Sequence, residues 1–268
     1  MILYTRSTMI NGQRSVLVGA LICVGLIGAM TACTSAAPER RKILERTYIG
    51  MNDELKGKVR FEYGSFSNTC KPAAAERIEQ ELMKDITGDE NGYEAAADWF
   101  LNLCREDAKN DPLMSPWAWG VTASRTYEDA RMVSVKIDET MLMNDGHPSR
   151  TVRYLLFDVR TGARRSFFDV FDKRYHTKVE RIVDAAFRRE LSSRAAFRAL
   201  AWDDMRVNYE NFGIDGREYV FFCTMSELFR HSPETLAGMR DIARLVQKPV
   251  LVRIPLEALR AERMLERK

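Results

Sequence analysis

Hydrophobic residues recur along this chain with two different periods, and each period predicts a different kind of element. Alternation of apolar and polar residues predicts strands at 59–63, 117–127, 131–143 and 151–158. Apolar spacings of three and four residues predict helices at 72–87 and 93–104, and again at 175–191. Pro72 suits the first turn of its helix, and Gly88 is placed to end it.

The strands at 131–143 and 151–158 are joined by the turn-forming sequence Asn144-Asp145-Gly146. This pattern predicts an antiparallel hairpin at the centre of the fold. Further on, the sequence predicts a short helix at 194–202, strands near 212–214, 219–224 and 250–254, and a C-terminal helix from 256. Strands grouped together and flanked by helices indicate an α+β fold class, an antiparallel sheet with helices packed on it.

The N-terminal region has the pattern of an export signal. Arg6 and Arg14 precede a short apolar run at 15–30, which is too short for an ordinary membrane span of about 20 residues. Small residues then lead to Cys33, and Met30-Thr31-Ala32-Cys33 resembles the lipobox of a bacterial lipoprotein, with Met in place of the usual Leu. That resemblance implies cleavage before Cys33, lipidation of Cys33 (palmitate included) and a membrane anchor in the cell envelope.

A plain signal peptide and an uncleaved anchor are the alternatives, and either Met1 or Met9 could be the start. The predicted organisation is a lipoprotein signal peptide at 1–32, a lipidated polar tether at 33–55 and an α+β domain at 56–268. A division of that domain into subdomains of about 56–130 and 131–268 stays open. The residues after Cys33 are not acidic, which by resemblance to known sorting rules favours the outer membrane or periplasm in a cell with two membranes.

The charge of the chain argues against nucleic acid as a partner. The 268 residues carry 41 Lys and Arg against 38 Asp and Glu, and loss of the signal removes two arginines and no acid. The near-neutral remainder has its charges interleaved and lacks the basic stripe that nucleic-acid binding requires.

Three cysteines lie outside the predicted signal: Cys70, Cys104 and Cys223. An exported protein meets an oxidising compartment, and an antiparallel pair of helices would bring Cys70 and Cys104 together, so these two form a possible disulfide. Cys223, in a strand-like run, is predicted to be a buried free thiol. Without any CxxC or close Cys/His spacing, the sequence predicts no metal site and no cofactor.

The central stretch carries a family resemblance. It contains Asp145-Gly146-His147-Pro148, then Phe157-Asp158-Val159-Arg160-Thr161-Gly162, then Phe168-Asp169-Val170-Phe171. This order resembles the extracellular domain of the anti-sigma factor RsiV and the accessory domain of the peptidoglycan deacetylase PdaC. The turn lacks one Gly and the Ala of the family pattern. Gly162 and Asp158 suit a tight strand turn, Gly162 by allowing positive φ and Asp158 by accepting backbone hydrogen bonds.

The resemblance implies binding outside the cytoplasm, because RsiV-type domains recognise lysozyme and the PdaC domain accompanies a separate catalytic domain. The sequence therefore predicts a non-enzymatic envelope domain whose partner is lysozyme, another envelope protein or peptidoglycan. No catalytic residue is assigned. Candidate ligand contacts are His147, Asp145, Trp117 and Trp119, although core burial is the commoner fate of tryptophans in regular elements.

The alternative is a weak envelope hydrolase. In it, His147 would act as a general base near neutral pH, with Asp145, Asp138 or Glu139 to orient it. The sequence has no G-x-S-x-G, S-x-x-K or H-E-x-x-H motif to supply a nucleophile or a metal, which favours the binding hypothesis.

Overall fold

The computed structural model describes residues 41–88, 91–143, 148–193, 207–223 and 250–261. In these ranges the chain has an α+β fold, as predicted, with two sheets in the strand orders β1-β2-β3-β4-β5 and β6-β7-β8. The strands are β1 (Arg41–Ile49), β2 (Leu55–Gly64), β3 (Trp117–Glu128), β4 (Met132–Leu142), β5 (Ser149–Asp158), β6 (Phe212–Asp215), β7 (Glu218–Cys223) and β8 (Val250–Pro255). The helices are α1 (Pro72–Thr87), α2 (Gly92–Asn110), α3 (Phe167–Val170), α4 (His176–Ser193) and α5 (Leu256–Ala261).

The larger sheet is mixed, so the antiparallel sheet expected from the sequence is found with one parallel pair in it. β2 and β3 run parallel, in register from Gly57 beside Trp117 to Tyr63 beside Ala123, and the other pairs are antiparallel. Parallel neighbours need a long crossover connection. The α1–α2 pair supplies it, because both helices lie in the chain between β2 and β3.

Part of the segment expected to be a tether is a strand. β1 pairs antiparallel with β2 along its whole length and forms one edge of the larger sheet. Its side chains are mostly exposed, and its charged residues reach neighbouring elements, with Lys42 contacting Glu79 and Arg46 contacting Asp98. Charged residues on an edge strand discourage pairing with other chains. The same charged residues give β1 the composition of a polar linker.

The α1 and α2 helices form where the apolar spacing predicted them. Pro72 lies in the first turn of α1, and Gly88 ends it in a left-handed conformation with φ 69°. Their buried faces cover one side of the larger sheet, where Phe61, Trp119 and Phe157 are buried with them in a single apolar cluster.

The opposite side of the larger sheet is partly covered by the smaller sheet, and α4 packs on the far side of that smaller sheet. The two sheets approach closely at Gly213, where an added Cβ would lie 2.7 Å from both Ser134 Oγ and Tyr154 Cβ. Asn211 anchors the edge of β5, since its side chain accepts from Tyr154 N (3.0 Å) and donates to Val152 O (3.1 Å).

The turn after β5 has the structure that its motif predicted. Asp158 Oδ1 accepts from the backbone N–H groups of Arg160 (3.0 Å) and Thr161 (2.9 Å), and Gly162 has φ 68°. Ser166 and Asp169 form a reciprocal capping box at the start of α3. The motif therefore determines local backbone structure.

The predicted disulfide is absent, because Cys70 and Cys104 are both free and buried. Cys104 packs at Gly57 near the start of β2, where its Sγ donates to Lys56 O at 3.0 Å. Cys70 follows the other end of β2. The strand from Gly57 to Gly64 spans about 23 Å, so the two sulfur atoms lie toward opposite ends of the sheet.

The division suggested near residue 130 does not separate two folding units. β3 and β4, which lie on either side of it, pair from Ala118 beside Leu142 to Glu128 beside Val133. The described residues, from Arg41 to Ala261, all belong to one compact unit. The predicted helix at 194–202, the C-terminal helix beyond Ala261, and the signal, Cys33 and residues 34–40 lie outside the described residues.

Candidate functional site

The ligand contacts expected from the sequence do not form a site in the described structure. His147 and Asp145 lie outside the described residues. Trp117 and Trp119 are each only 4% exposed and belong to the core beneath α2. Trp117 packs against Phe100, and Trp119 packs against both Phe61 and Phe100. Because both indoles are buried in this way, neither can stack on a sugar, which corrects their assignment as candidate ligand contacts.

A group of charged side chains on the helix side of the larger sheet is centred on Arg153 of β5. Its guanidinium donates to Asp85 Oδ2 (2.8 Å) and to Glu139 Oε2 (2.7 Å), while Trp119 Nε1 donates to Glu139 Oε1 (2.9 Å). Burial disfavours the charged arginine, but the two carboxylates outweigh it and raise the pKa of Arg153. Each of these side chains has a partner within the network, which indicates that the network holds α1 against the larger sheet.

Asp138 and Glu139 cannot both assist one histidine. They are successive residues of β4, so their side chains lie on opposite faces of the sheet. Asp138 pairs with Arg150, which holds the pKa of this carboxyl below its usual value, and Glu139 is held by Arg153. The hydrolase alternative thus gains no support from these two carboxylates.

A cleft of about 550 Å³ lies between α1 and the end of the β1–β2 pair, and we call it the tyrosine cleft. Tyr63 and Tyr93 stack in its wall with ring centroids 4.3 Å apart and planes 22° apart. Its walls combine apolar and polar side chains, among them Lys42, Tyr63, Ala75, Glu79, Met83 and Tyr93. Mixed lining of this kind is typical of binding clefts.

The polar end of the tyrosine cleft is organised around Glu79. Its Oε1 accepts from Ser65 Oγ (3.2 Å) and from the Phe66 backbone N–H (3.3 Å), and its Oε2 accepts from Lys42 Nζ (2.9 Å). The same Lys42 ammonium lies over the Tyr63 ring, 5.8 Å from the centroid. Glu79 is one turn along α1 from the buried Ala75, which places its carboxylate at the cleft.

The protonation of these groups follows from their surroundings. The hydrogen bond to Glu79 raises the pKa of Lys42, so its ammonium stays charged at neutral pH. Burial raises the pKa of both Tyr63 and Tyr93, so both phenols stay neutral. The cleft consequently presents the side chains of Glu76 and Glu79, one ammonium and two neutral rings.

Sequence reasoning missed this cleft because its residues belong to elements that are distant in the chain. In the sequence, Lys42 falls in the predicted tether, Tyr63 at the end of a predicted strand, and Glu79 within the helix predicted at 72–87. The one available signal was the tyrosine at each end of the α1 region, Tyr63 before it and Tyr93 after it. Nothing local indicates that they meet.

The described residues contain no group of three or more His, Cys, Asp or Glu side chains arranged to hold a metal ion. Among the same ranges, no helix has the length and apolar content needed to cross a membrane.

The fold belongs to a class with a mixed five-stranded sheet, helices on one face and a small antiparallel sheet on the other. Two solved structures share it at low identity. A DUF3298 family protein from Pseudomonas aeruginosa PAO1 has 10% identity and a TM-score of 0.54, over 86% of this chain and 96% of that one. A DUF3298 family member from Bacteroides fragilis NCTC 9343 has 12% identity and a TM-score of 0.56, over 87% and 95%.

Similarity at these identities concerns the fold alone, and the two neighbours are domains of unknown function. No family model matches the chain. No curated protein matches it either. The resemblance to RsiV and PdaC stays a prediction from the sequence.

Proposed function

We propose that this chain is a lipid-anchored protein of the cell envelope whose domain binds another protein or a glycan without catalysing a reaction. Lysozyme, a second envelope protein and peptidoglycan are the candidate partners. The lipobox-like residues at 30–33 support the anchor, and the turn motif around Asp158 supports the relation to envelope binding domains.

The tyrosine cleft is the observation that carries the binding proposal. It is open to solvent and combines apolar lining residues such as Ala75 and Met83 with the Glu79 carboxylate and the Lys42 ammonium. A site of that composition gives a partner both buried apolar area and fixed polar contacts. The other strongly paired carboxylates described above, Glu139 and Asp158, are instead engaged in holding elements together.

The test of the binding proposal is calorimetry with the full-length chain, purified in detergent, against lysozyme and against peptidoglycan fragments. Saturable binding with micromolar or tighter Kd to either partner is expected, and the peptidoglycan fragments should not be hydrolysed. Hydrolysis of the fragments that disappears in a folded His147→Ala variant would contradict the non-enzymatic proposal.

The anchor is tested separately by growing cells with a labelled fatty acid. Label should enter the protein and be lost in a Cys33→Ala variant, which should also migrate as the uncleaved precursor. Equal labelling of both forms would contradict lipidation at Cys33.

A further inference from the structure

Lys42 occupies a position in the tyrosine cleft that suits an ammonium group. Its Nζ contacts Glu79 Oε2 at 2.9 Å and lies over the Tyr63 ring. The carboxylate does not depend on Lys42 for its place, since Ser65 Oγ and the Phe66 N–H hold its other oxygen. An ammonium position made of one anchored carboxylate and one aromatic face is therefore built into α1 and β2.

The lysine that fills this position is weakly held. Its side chain is 51% exposed, and it extends from β1, an edge strand that pairs on one side only. Exposed ion pairs and exposed cation–π contacts each contribute little, and four rotatable side-chain bonds let the ammonium swing out. Another ammonium that also gained apolar contact could replace it.

We propose that the tyrosine cleft binds a primary ammonium joined to an apolar group, as in a lysine-containing segment of a protein partner, and that Lys42 occupies the ammonium position when no partner is bound. This inference deepens the proposed function and rests on it. Glu79 would pair with the incoming ammonium, and Ala75 and Met83 would contact the apolar group.

The same geometry favours a protein segment over a glycan at this cleft. A sugar ring binds an aromatic side chain by stacking on a free face. Tyr93 stacks on Tyr63 at 4.3 Å, and the place over the Tyr63 ring that Lys42 would vacate lies beside the Glu79 carboxylate, which suits a cation better than an uncharged sugar ring. An ammonium requires only the place that Lys42 already takes.

Charge at the cleft also favours a cationic ligand. Glu76 and Glu79 both line it, and Lys42 is the cation facing them. When Lys42 swings out, two carboxylates face the entering group. The incoming ammonium would then take over the role of Lys42 as the cation that faces these carboxylates.

The test uses the full-length chain in detergent, with ¹³C-labelled tyrosine rings whose signals are assigned through Tyr63→Phe and Tyr93→Phe. The probe is acetyl-Leu-Lys-amide, and its neutral match is acetyl-Leu-norleucine-amide, which has a similar side chain without the ammonium. Saturable shifts of the Tyr63 and Tyr93 signals are expected with the lysine peptide, and markedly weaker shifts with the norleucine peptide.

Two variants examine the role of Lys42 itself. Lys42→Ala should tighten binding of the lysine peptide about threefold, because the competing ammonium is gone. Lys58→Ala is the matched control: Lys58 is also half-exposed and makes a 3.0 Å ion pair, but with Glu45 away from the cleft. It should leave the affinity unchanged.

Glu79→Gln should weaken binding of the lysine peptide at least about threefold, while Glu45→Gln should not. Thermal unfolding of each variant separates a loss of contact from a loss of fold. Equal binding of the two peptides, or no tightening in Lys42→Ala, would overturn the inference. If lysozyme binds and neither Lys42→Ala nor Glu79→Gln alters its affinity, the inference would also be overturned. The proposed function would then remain, with lysozyme bound at another surface of the domain.

Discussion

The two faces of the larger sheet differ in what covers them, although the same strands supply both. On the helix face, β2 and β3 place Phe61, Trp119 and Val121 in a continuous core. On the other face the same two strands place Arg60 and Gly120, which are only partly covered. Strict alternation along a strand therefore separates an apolar face from a polar one, and each face takes a different neighbour.

The polar face is itself divided into two parts. Over β4 and β5, the smaller sheet approaches so closely that Gly213 has no room for a side chain. Over the first half of β3, an added Cβ on Gly120 would meet nothing within 4 Å. Gly213 and Gly120 thus have opposite packing environments, and an alanine substitution at each position tests the difference.

The largest effect is expected from the helix face. Phe61 is 1% exposed and contacts Trp119 edge-on at 4.9 Å between ring centroids. Phe61→Ala should lower the free energy of unfolding by about 4 kcal/mol, since a cavity remains beneath α2. Chemical denaturation of both proteins measures this loss, and a cost under about 1 kcal/mol would show that this face is not the main core.

A smaller loss is expected where the two sheets meet. Gly213→Ala forces a methyl group against Ser134 Oγ and Tyr154 Cβ, and overpacking of this kind costs about 1–3 kcal/mol. The measurement is again chemical denaturation. An unchanged midpoint would mean that the sheets can separate without cost.

The turn at Asp158 touches both sides, because Gly162 packs on Ala74 of α1 and the following α3 packs on the smaller sheet. Burial acts to raise the pKa of Asp158, but Arg165 and the Thr161 amide and hydroxyl outweigh it and lower this pKa to about 2. A carboxyl with a depressed folded pKa stabilises the protein above its unfolded pKa of about 4 and stops doing so as pH falls through about 2.

Asp158→Asn should therefore lose about 2 kcal/mol at pH 7 relative to the native chain. The difference should shrink as pH falls from about 4 toward 2. Denaturation curves at several pH values follow it. A pH-independent difference would assign the loss to altered turn geometry and not to the charge.

The smallest effect is expected over the open part of the polar face. Gly120→Ala should be neutral or should stabilise by about 0.5 kcal/mol, because the methyl meets no neighbour and alanine loses less backbone entropy in a strand than glycine. It is the matched control for Gly213→Ala. Destabilisation above about 1 kcal/mol would show that another part of the chain packs on Gly120.

The features that the sequence predicted correctly depend on residues close together in the chain. Pro72 and Gly88 bound α1, Asp158 and Gly162 form their turn, and β4 and β5 pair as a hairpin. Each of these follows from backbone preferences or hydrogen bonds within a few residues.

The features that the sequence did not predict depend on contacts between distant segments. The β1 segment is charged like a linker, and only its antiparallel pairing with β2, a distant segment of the chain, shows that it is a strand. Trp119 could have been a surface residue, and α2 buries it. Cys70 and Cys104 were expected to meet, and the length of β2 separates them.

By itself, then, the sequence determined the α+β class, the ends of α1 and the β4–β5 hairpin, because local periodicity and turn chemistry suffice for these. The tertiary structure decided the parallel pairing of β2 with β3, the burial of the tryptophans and the tyrosine cleft. The cleft brings together Lys42, Tyr63, Glu79 and Tyr93. These residues come from β1, β2, α1 and α2, and only the packing of those four elements brings an ammonium, a carboxylate and two rings to one place.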